Sequence, residues 1–263
     1  VRGVSTAAKN RPSSGFPSAR DTGDITETTR GLPDAATVLS QARSENFPVA
    51  LWAVGPRLRG DLMALYGFAR LVDDTGDEVS GDRLALLDRL ERELDDPRHP
   101  LMVRLSETIA GRELPREPFL RLIEANRRDQ ALVRFESRDE LWDYCMLSAA
   151  PIGEIVLYLT GQANPERIAL SDRVCAALQV IEHLQDVEED AARGRSYIGD
   201  FDAHAYAAEL LRSGPPLVRS LRGRARIAVA GFLAGGRVAL AGLESHPDGL
   251  AFAPQFARAV AGR

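Results

Sequence analysis

The stretch LYGFARLVDDTGDE, from Leu65 to Glu78, decides how this chain folds. Leu65, Phe68, Ala69 and Val72 recur at the three-and-four spacing of one helical face, and the segment then turns abruptly acidic. Asp73 and Asp77 are four residues apart and share a face; Asp74 and Glu78 bring the cluster to four carboxylates in six residues. The C-terminal end of a helix already carries negative dipole charge, so this cluster is unfavourable there unless a cation sits beside it. Hard divalent ions such as Mg2+ take one or two carboxylates and complete their shell with phosphate oxygens and water, which an i, i+4 Asp pair suits. The alternative is a solvated acidic helix end.

A second stretch strengthens the metal reading. ALQVIEHLQDVEED, from Ala177 to Asp190, also has an apolar helical side, formed by Leu178, Ile181 and Leu184. Gln179, Glu182, Asp186 and Asp190 follow at steps of three and four, so on one continuous helix they form a polar stripe. Two such stripes facing each other across a bundle would make a carboxylate-lined cavity for a metal-bound diphosphate.

In that order, FARLVDDTGDE, YCMLSAAPIGEIV and LQVIEHLQDVEEDAARGRSY resemble the squalene and phytoene synthase family. The earlier ENFPVA, from Glu45 to Ala50, is more similar to the hydroxysqualene synthases of the bacterial hopanoid pathway than to phytoene synthases. The resemblance spans roughly Leu39 to Leu243. It implies an all-α, single-domain helical bundle of the isoprenoid-synthase type with a central apolar cavity. It also implies Mg2+-dependent conversion of presqualene diphosphate to hydroxysqualene with release of pyrophosphate. Asp73, Asp77, Asp186 and Asp190 are then the metal-facing residues, with Asp74 ranked behind them because it points about 100° from Asp73 on an ideal helix.

Further roles carry over from the same resemblance. Ser44 and Arg70 would contact diphosphate, Tyr144 and Tyr197 would lie near the reacting carbons or pyrophosphate, and Gln179 would line the cavity. Arg195, with Arg193, would reach phosphate, while Phe47, Phe68 and the small residues from Ser148 to Gly153 would shape a tunnel that shields a carbocation. Each has a structural alternative: Arg70 could pair with Asp73 or Asp74, Tyr144 could be a satisfied core aromatic, Ser44 a turn residue, and the two arginines surface partners for carboxylates. The chain also departs from the family pattern. Glu182 stands where most members have Asn, and His183 beside it is a candidate proton acceptor for water attack. Ile198-Gly199 replaces the usual Leu-Pro, which predicts a looser turn after Tyr197.

Two rival functions remain open from the sequence. Head-to-head condensation of two prenyl diphosphates uses the same Asp motifs, and a non-catalytic isoprenoid-binding or assembly factor would be expected to have lost some of them. No G-x-G-x-x-G nicotinamide fingerprint occurs, which disfavours reductive release as squalene through a Rossmann-type site; a non-Rossmann NADPH site would not show this way.

Composition narrows the classes of partner. A chain of 263 residues with a net charge of -5 and a pI near 5.5 has no basic field for phosphate backbones, so no nucleic acid is expected. An acidic protein with an anionic substrate needs bound cations. Cys145 and Cys175 fall within apolar helical patterns and read as core thiols, which suits a reducing cytoplasm. Lipid substrates and products are compatible with peripheral membrane association. The longest apolar run, Ile227 to Gly236, is interrupted by Arg237 and is shorter than the roughly 20 residues of a spanning helix.

Residues 1–33 carry Ser, Thr, Gly, Pro and Arg without an apolar period and are expected to be a disordered tail, leaving 34–263 as one helical domain. Helices are expected over 34–43, 59–72, 83–96, 100–110 and 118–128. Ser137 to Glu140 form a capping box that starts a helix kinked near Pro151. A long helix is expected from Pro165 to Ala192, with further helices over 206–211 and 217–243.

Overall fold

In the computed structural model, residues 31–44, 55–131 and 134–245 are described. Residues 1–30 of the expected tail and the ENFPVA motif, with Phe47, lie outside them.

Twelve helices form this part of the chain: α1 (Ala35–Ser44), α2 (Pro56–Asp77), α3 (Arg83–Arg92), α4 (Pro100–Arg112), α5 (Glu117–Arg128), α6 (Arg138–Ser148), α7 (Ala150–Leu159), α8 (Pro165–Gln185), α9 (Val187–Ala192), α10 (Ala203–Leu211), α11 (Gly214–Ser220) and α12 (Gly223–Ser245). Among the described residues the β pairing is a single bridge, Arg134 to Ser196. The all-α class follows from the apolar periods of these segments, which can be buried only by helix-on-helix packing.

Most ends are set locally. Ser137 caps α6 in a full capping box with Glu140, and Asn164 caps α8 through the amide of Arg167. Helix α6 stops at Ser148 and α7 resumes at Ala150. Pro151 sits in the first turn of α7, where its missing N–H matters least, so the expected kink is a break between two helices.

Helix α3 ends at Arg92 instead of reaching residue 96, α10 starts three residues early, and the helix expected over 217–243 is split into α11 and α12; two further differences reach the site. Helix α2 starts at Pro56 and continues through Asp77, taking all three aspartates of the acidic motif into the helix and leaving Glu78 as its C-cap. Its last turn is held by Thr75 Oγ1 donating to the Leu71 carbonyl at 2.6 Å and by Arg70 Nε against Asp74 at 2.7 Å. Helix α8 ends at Gln185 instead of running to Ala192, because Asp186 (φ -104°, ψ 17°) leaves helical geometry before α9 starts.

The core has two main bodies. Phe68, Leu71, Leu87, Met102, Phe119 and Ile155 centre one around α2 to α5 and α7, where Phe68 and Phe119 meet edge to face at 5.4 Å. Leu141, Tyr144, Val180, Ile181 and Leu210 centre the other around α6, α8, α10 and α12. The acidic motif of α2 borders the first and α8 runs through the second, so the site lies at their seam. The glycine after Ile198 does not loosen the turn as expected. A Cβ at Gly199 would lie 2.5 Å from the Phe135 carbonyl oxygen, so the missing side chain lets two backbone segments touch.

Candidate active site

Helix α2 presents its carboxylates to different neighbours. Asp73 accepts from Asn126 Nδ2 of α5 at 3.0 Å. That contact needs a glycine opposite: a Cβ on Gly76 would come within 2.4 Å of Asn126 Oδ1. Asp74 is buried and pairs with Arg70, whose guanidinium also reaches Glu78 at 3.2 Å. Asp77 meets Arg195 at 2.8 Å and Arg193 at 3.5 Å, which ties the first acidic motif to the chain just after the second. Burial opposes the charge on Arg195, yet its bond to Asp77 and the carboxylate charges of Asp77 and Asp129 outweigh this and hold its pKa above the ordinary arginine value.

The break at Asp186 divides the second polar stripe. Gln179, Glu182 and His183 are almost fully buried in α8, and Asp186 is half-buried at the break. Asp190 returns from α9 to face His183, with Nδ1 3.2 Å from Asp190 Oδ2. Gln179 Nε2 lies 3.2 Å from His183 Nε2. Because Gln179 can only donate from that nitrogen, His183 Nε2 accepts, and its proton sits on Nδ1, directed at Asp190. The imidazole stacks on Tyr197 with centroids 3.9 Å apart and planes 17° from parallel.

Beside the stack, one carboxylate organises both tyrosines. Asp129 accepts from Tyr144 Oη at 2.7 Å and from Tyr197 Oη at 2.8 Å. Its carbonyl accepts from Arg195 at 3.1 Å. Asp129 and Asn126 were not singled out from the sequence, and the available signal was weak. Asp129 follows Arg127-Arg128 at a helix end, where an acid reads as a surface partner.

A small cavity of about 20 Å³ joins these groups. Asp73, Asn126, Asp129, Tyr144, Ser148 and Gln179 supply its polar wall, and Ala69, Val72, Leu122 and Ile152 are among its apolar residues. A wider polar pocket of about 440 Å³ opens beside it, lined by Asp77, Arg83, Gln130, Arg193 and Arg195. Tyr144, Tyr197, Gln179, Arg195, Asp73 and Asp77 thus converge around one seam. Among the described residues, no three His, Cys, Asp or Glu side chains gather closely enough to hold one metal ion. Ser44 is the last residue of α1, and its side chain lies outside the described atoms.

A profile of the squalene/phytoene synthase family matches residues 40–206. The chain belongs to the squalene/phytoene synthase family. This synthase is 37% identical over 219 residues to a hydroxysqualene synthase of Rhodopseudomonas palustris, covering 79% of this chain and 74% of the relative. It is 38% identical over 171 residues to a hydroxysqualene synthase of Zymomonas mobilis, covering 62% and 57% of the two chains. Among solved structures, squalene synthase HpnC from Alicyclobacillus acidocaldarius superposes with a TM-score of 0.73 at 35% identity, over 85% of this chain and 94% of that one. A dehydrosqualene synthase at 19% identity shares the fold with a TM-score of 0.65. These relatives make the protein an isoprenoid synthase.

Proposed function

We propose that this synthase converts presqualene diphosphate to hydroxysqualene, releasing pyrophosphate. The supporting observation is the 37% identity to a hydroxysqualene synthase over 79% of the chain, together with an acidic helix that meets a cavity with one polar and one apolar wall at the seam of the two cores. The carboxylates present fit Mg2+. Asp73, Asp77 and Asp186 offer hard oxygens from two separate segments, and one or two carboxylates are what Mg2+ takes when a diphosphate supplies other oxygens. These three aspartates are not gathered into one ligand set, so each would reach an ion only together with diphosphate oxygens, while Asp74 and Asp190 stand behind them against Arg70 and His183. When bound, Mg2+ neutralises charge on the departing diphosphate.

The chain's own residues divide the remaining work. Arg193 and Arg195, fixed by Asp77 at the wall of the wider pocket, supply cationic donors for the diphosphate. Ser44 and Arg70, carried over from the family pattern, would add further donors. The Asp129–Tyr144–Tyr197 cluster holds two aromatic faces rigidly beside the cavity, where they stabilise positive charge on a hydrocarbon. Gln179 orients His183, and the apolar residues exclude bulk water. Two buried free thiols fit a reducing cytoplasm, and the exposed side of α12 fits attachment to a lipid surface.

The test is incubation with Mg2+ and, separately, presqualene diphosphate or farnesyl diphosphate, with products identified by mass spectrometry. Hydroxysqualene from presqualene diphosphate alone, lost in Asp73→Ala and Asp186→Ala variants that still fold, is the expected result. Turnover of farnesyl diphosphate would instead support head-to-head condensation. That second reading is favoured by relatives such as the presqualene diphosphate synthase of Zymomonas mobilis, 27% identical over 177 residues. A folded protein that releases pyrophosphate from neither substrate points to a binding or assembly role.

A further inference from the structure

Formation of an alcohol from a carbocation needs one water molecule held at the right carbon and all others kept out. Ser148 is the last residue of α6, at the break before α7. Its Oγ is shielded from solvent and has no hydrogen-bond partner among the described residues. A hydroxyl left this way loses its hydration without replacement, which is unfavourable unless a bound molecule satisfies it. Ser148 also lines the cavity of about 20 Å³, a volume that accommodates roughly one water and no more. Gln179, Asn126 and Asp129 border the same space, so a water beside Ser148 would find the two to four polar partners that buried waters keep.

We propose that Ser148 is the positioning residue for the water that captures the carbocation. This rests on the hydroxysqualene reading. In this step the carbon–oxygen bond to diphosphate has already broken, and pyrophosphate carries away the electron pair. The water oxygen then forms the new carbon–oxygen bond, and the proton it sheds passes to the released pyrophosphate. Ser148 neither gains nor loses a proton; it holds the water against the apolar side of the cavity, formed there by Val72, Leu122 and Ile152. In its absence the cation is quenched by loss of a proton from carbon, giving a hydrocarbon.

Ser148→Ala removes the hydroxyl with the least disturbance of packing. With presqualene diphosphate and Mg2+, pyrophosphate release should continue while the ratio of hydroxysqualene to hydrocarbon products falls by about three- to tenfold, the range for one neutral hydrogen bond. A crystal structure of the wild-type protein should show an ordered water on Ser148 Oγ that is missing from the variant. An unchanged product ratio, an equal fall of pyrophosphate release and alcohol formation, or a high-resolution structure without that water would each overturn the proposal. Thermal unfolding of both proteins separates misfolding from a specific effect. If wild-type protein releases no pyrophosphate from presqualene diphosphate, the underlying reading fails, and the role of Ser148 fails with it.

Discussion

Asp129 binds two tyrosyl hydroxyls on one buried carboxylate, an arrangement in which removing either donor weakens the support of the other. Hydrogen bonds to a charged group are worth about 1.5–3 kcal/mol each, so Tyr144→Phe and Tyr197→Phe should each lower unfolding stability by that amount in urea titrations. Because both share Asp129, the double variant should lose a different total from the sum, and strict additivity would count against the shared anchor. A second carboxylate shows the reverse balance. Burial lifts the Asp172 carboxyl from 3.8 to about 6, against the pull of Arg121 and with a further push from Glu154. The folded state therefore holds this proton more tightly than the unfolded chain. Its contribution to stability is complete below about pH 4 and is lost as pH rises through about 6. Asp172→Asn should raise stability at pH 7 by about 1 kcal/mol after allowance for partial exposure, and flatten the stability curve between pH 4 and 6. Asp129 could not be singled out in the sequence, and Ser148 reads there only as one of the small residues of the tunnel wall. The partners of Asp129 are 15 and 68 residues away, and a buried serine hydroxyl has no pattern of its own.

At the scale of elements, what was legible was what the apolar period controls. Helices α4 and α5 lie close to their expected extents because each pairs an amphipathic stripe with a proline in its first turn. The break at Asp186 was not legible, because Val187 to Ala192 are compatible with a continuing helix. It is held by contacts that exist only in three dimensions: Asp190 against His183, and the Arg195 amide on the Asp190 carbonyl at 2.9 Å. The same dependence on neighbours decides the role of glycines. A Cβ on Gly153 of α7 would lie 2.3 Å from Ser171 Oγ and 2.6 Å from Cys175 Sγ of α8, so α7 and α8 pack through that missing side chain. A Cβ on Gly231 of α12 would meet nothing within 4 Å. Gly153→Ala should destabilise by about 1–3 kcal/mol through overpacking, whereas Gly231→Ala should stabilise by about 0.5–1 kcal/mol through helix propensity. Calorimetric melts that shift in the same direction for both would refute the close packing of α7 on α8.

For the whole molecule, the all-α bundle and the family were legible from three motifs in order, whereas the exposed apolar side of α12 was not. The sequence shows an apolar run cut by Arg237; the fold shows which side of that helix has neighbours. Helix α12 buries Ala225, Leu233, Gly236, Ala239 and Leu240, while Ile227 and Val238 are 63% and 68% exposed. By length and composition alone it could cross a membrane, with a mean hydropathy of 1.4 over Gly223–Leu243, but its packed side fits a helix lying on a surface better. Charge supports the same orientation. In a chain of net charge -5, residues 213–243 contain Arg219, Arg222, Arg224, Arg226 and Arg237 and no Asp or Glu. An arginine near an anionic lipid surface is worth about 1 kcal/mol, so the protein should float with phosphatidylglycerol vesicles at low salt and not with phosphatidylcholine vesicles. Each Arg→Gln change at Arg222 or Arg226 should weaken binding about fivefold, and Val238→Asp should weaken it through the apolar contact. A variant lacking both arginines that floats as well as wild type, or a wild-type protein that stays with the soluble fraction, would remove α12 as the attachment surface. Equal binding to both lipids would leave the apolar stripe as the sole contact and remove the arginines from it.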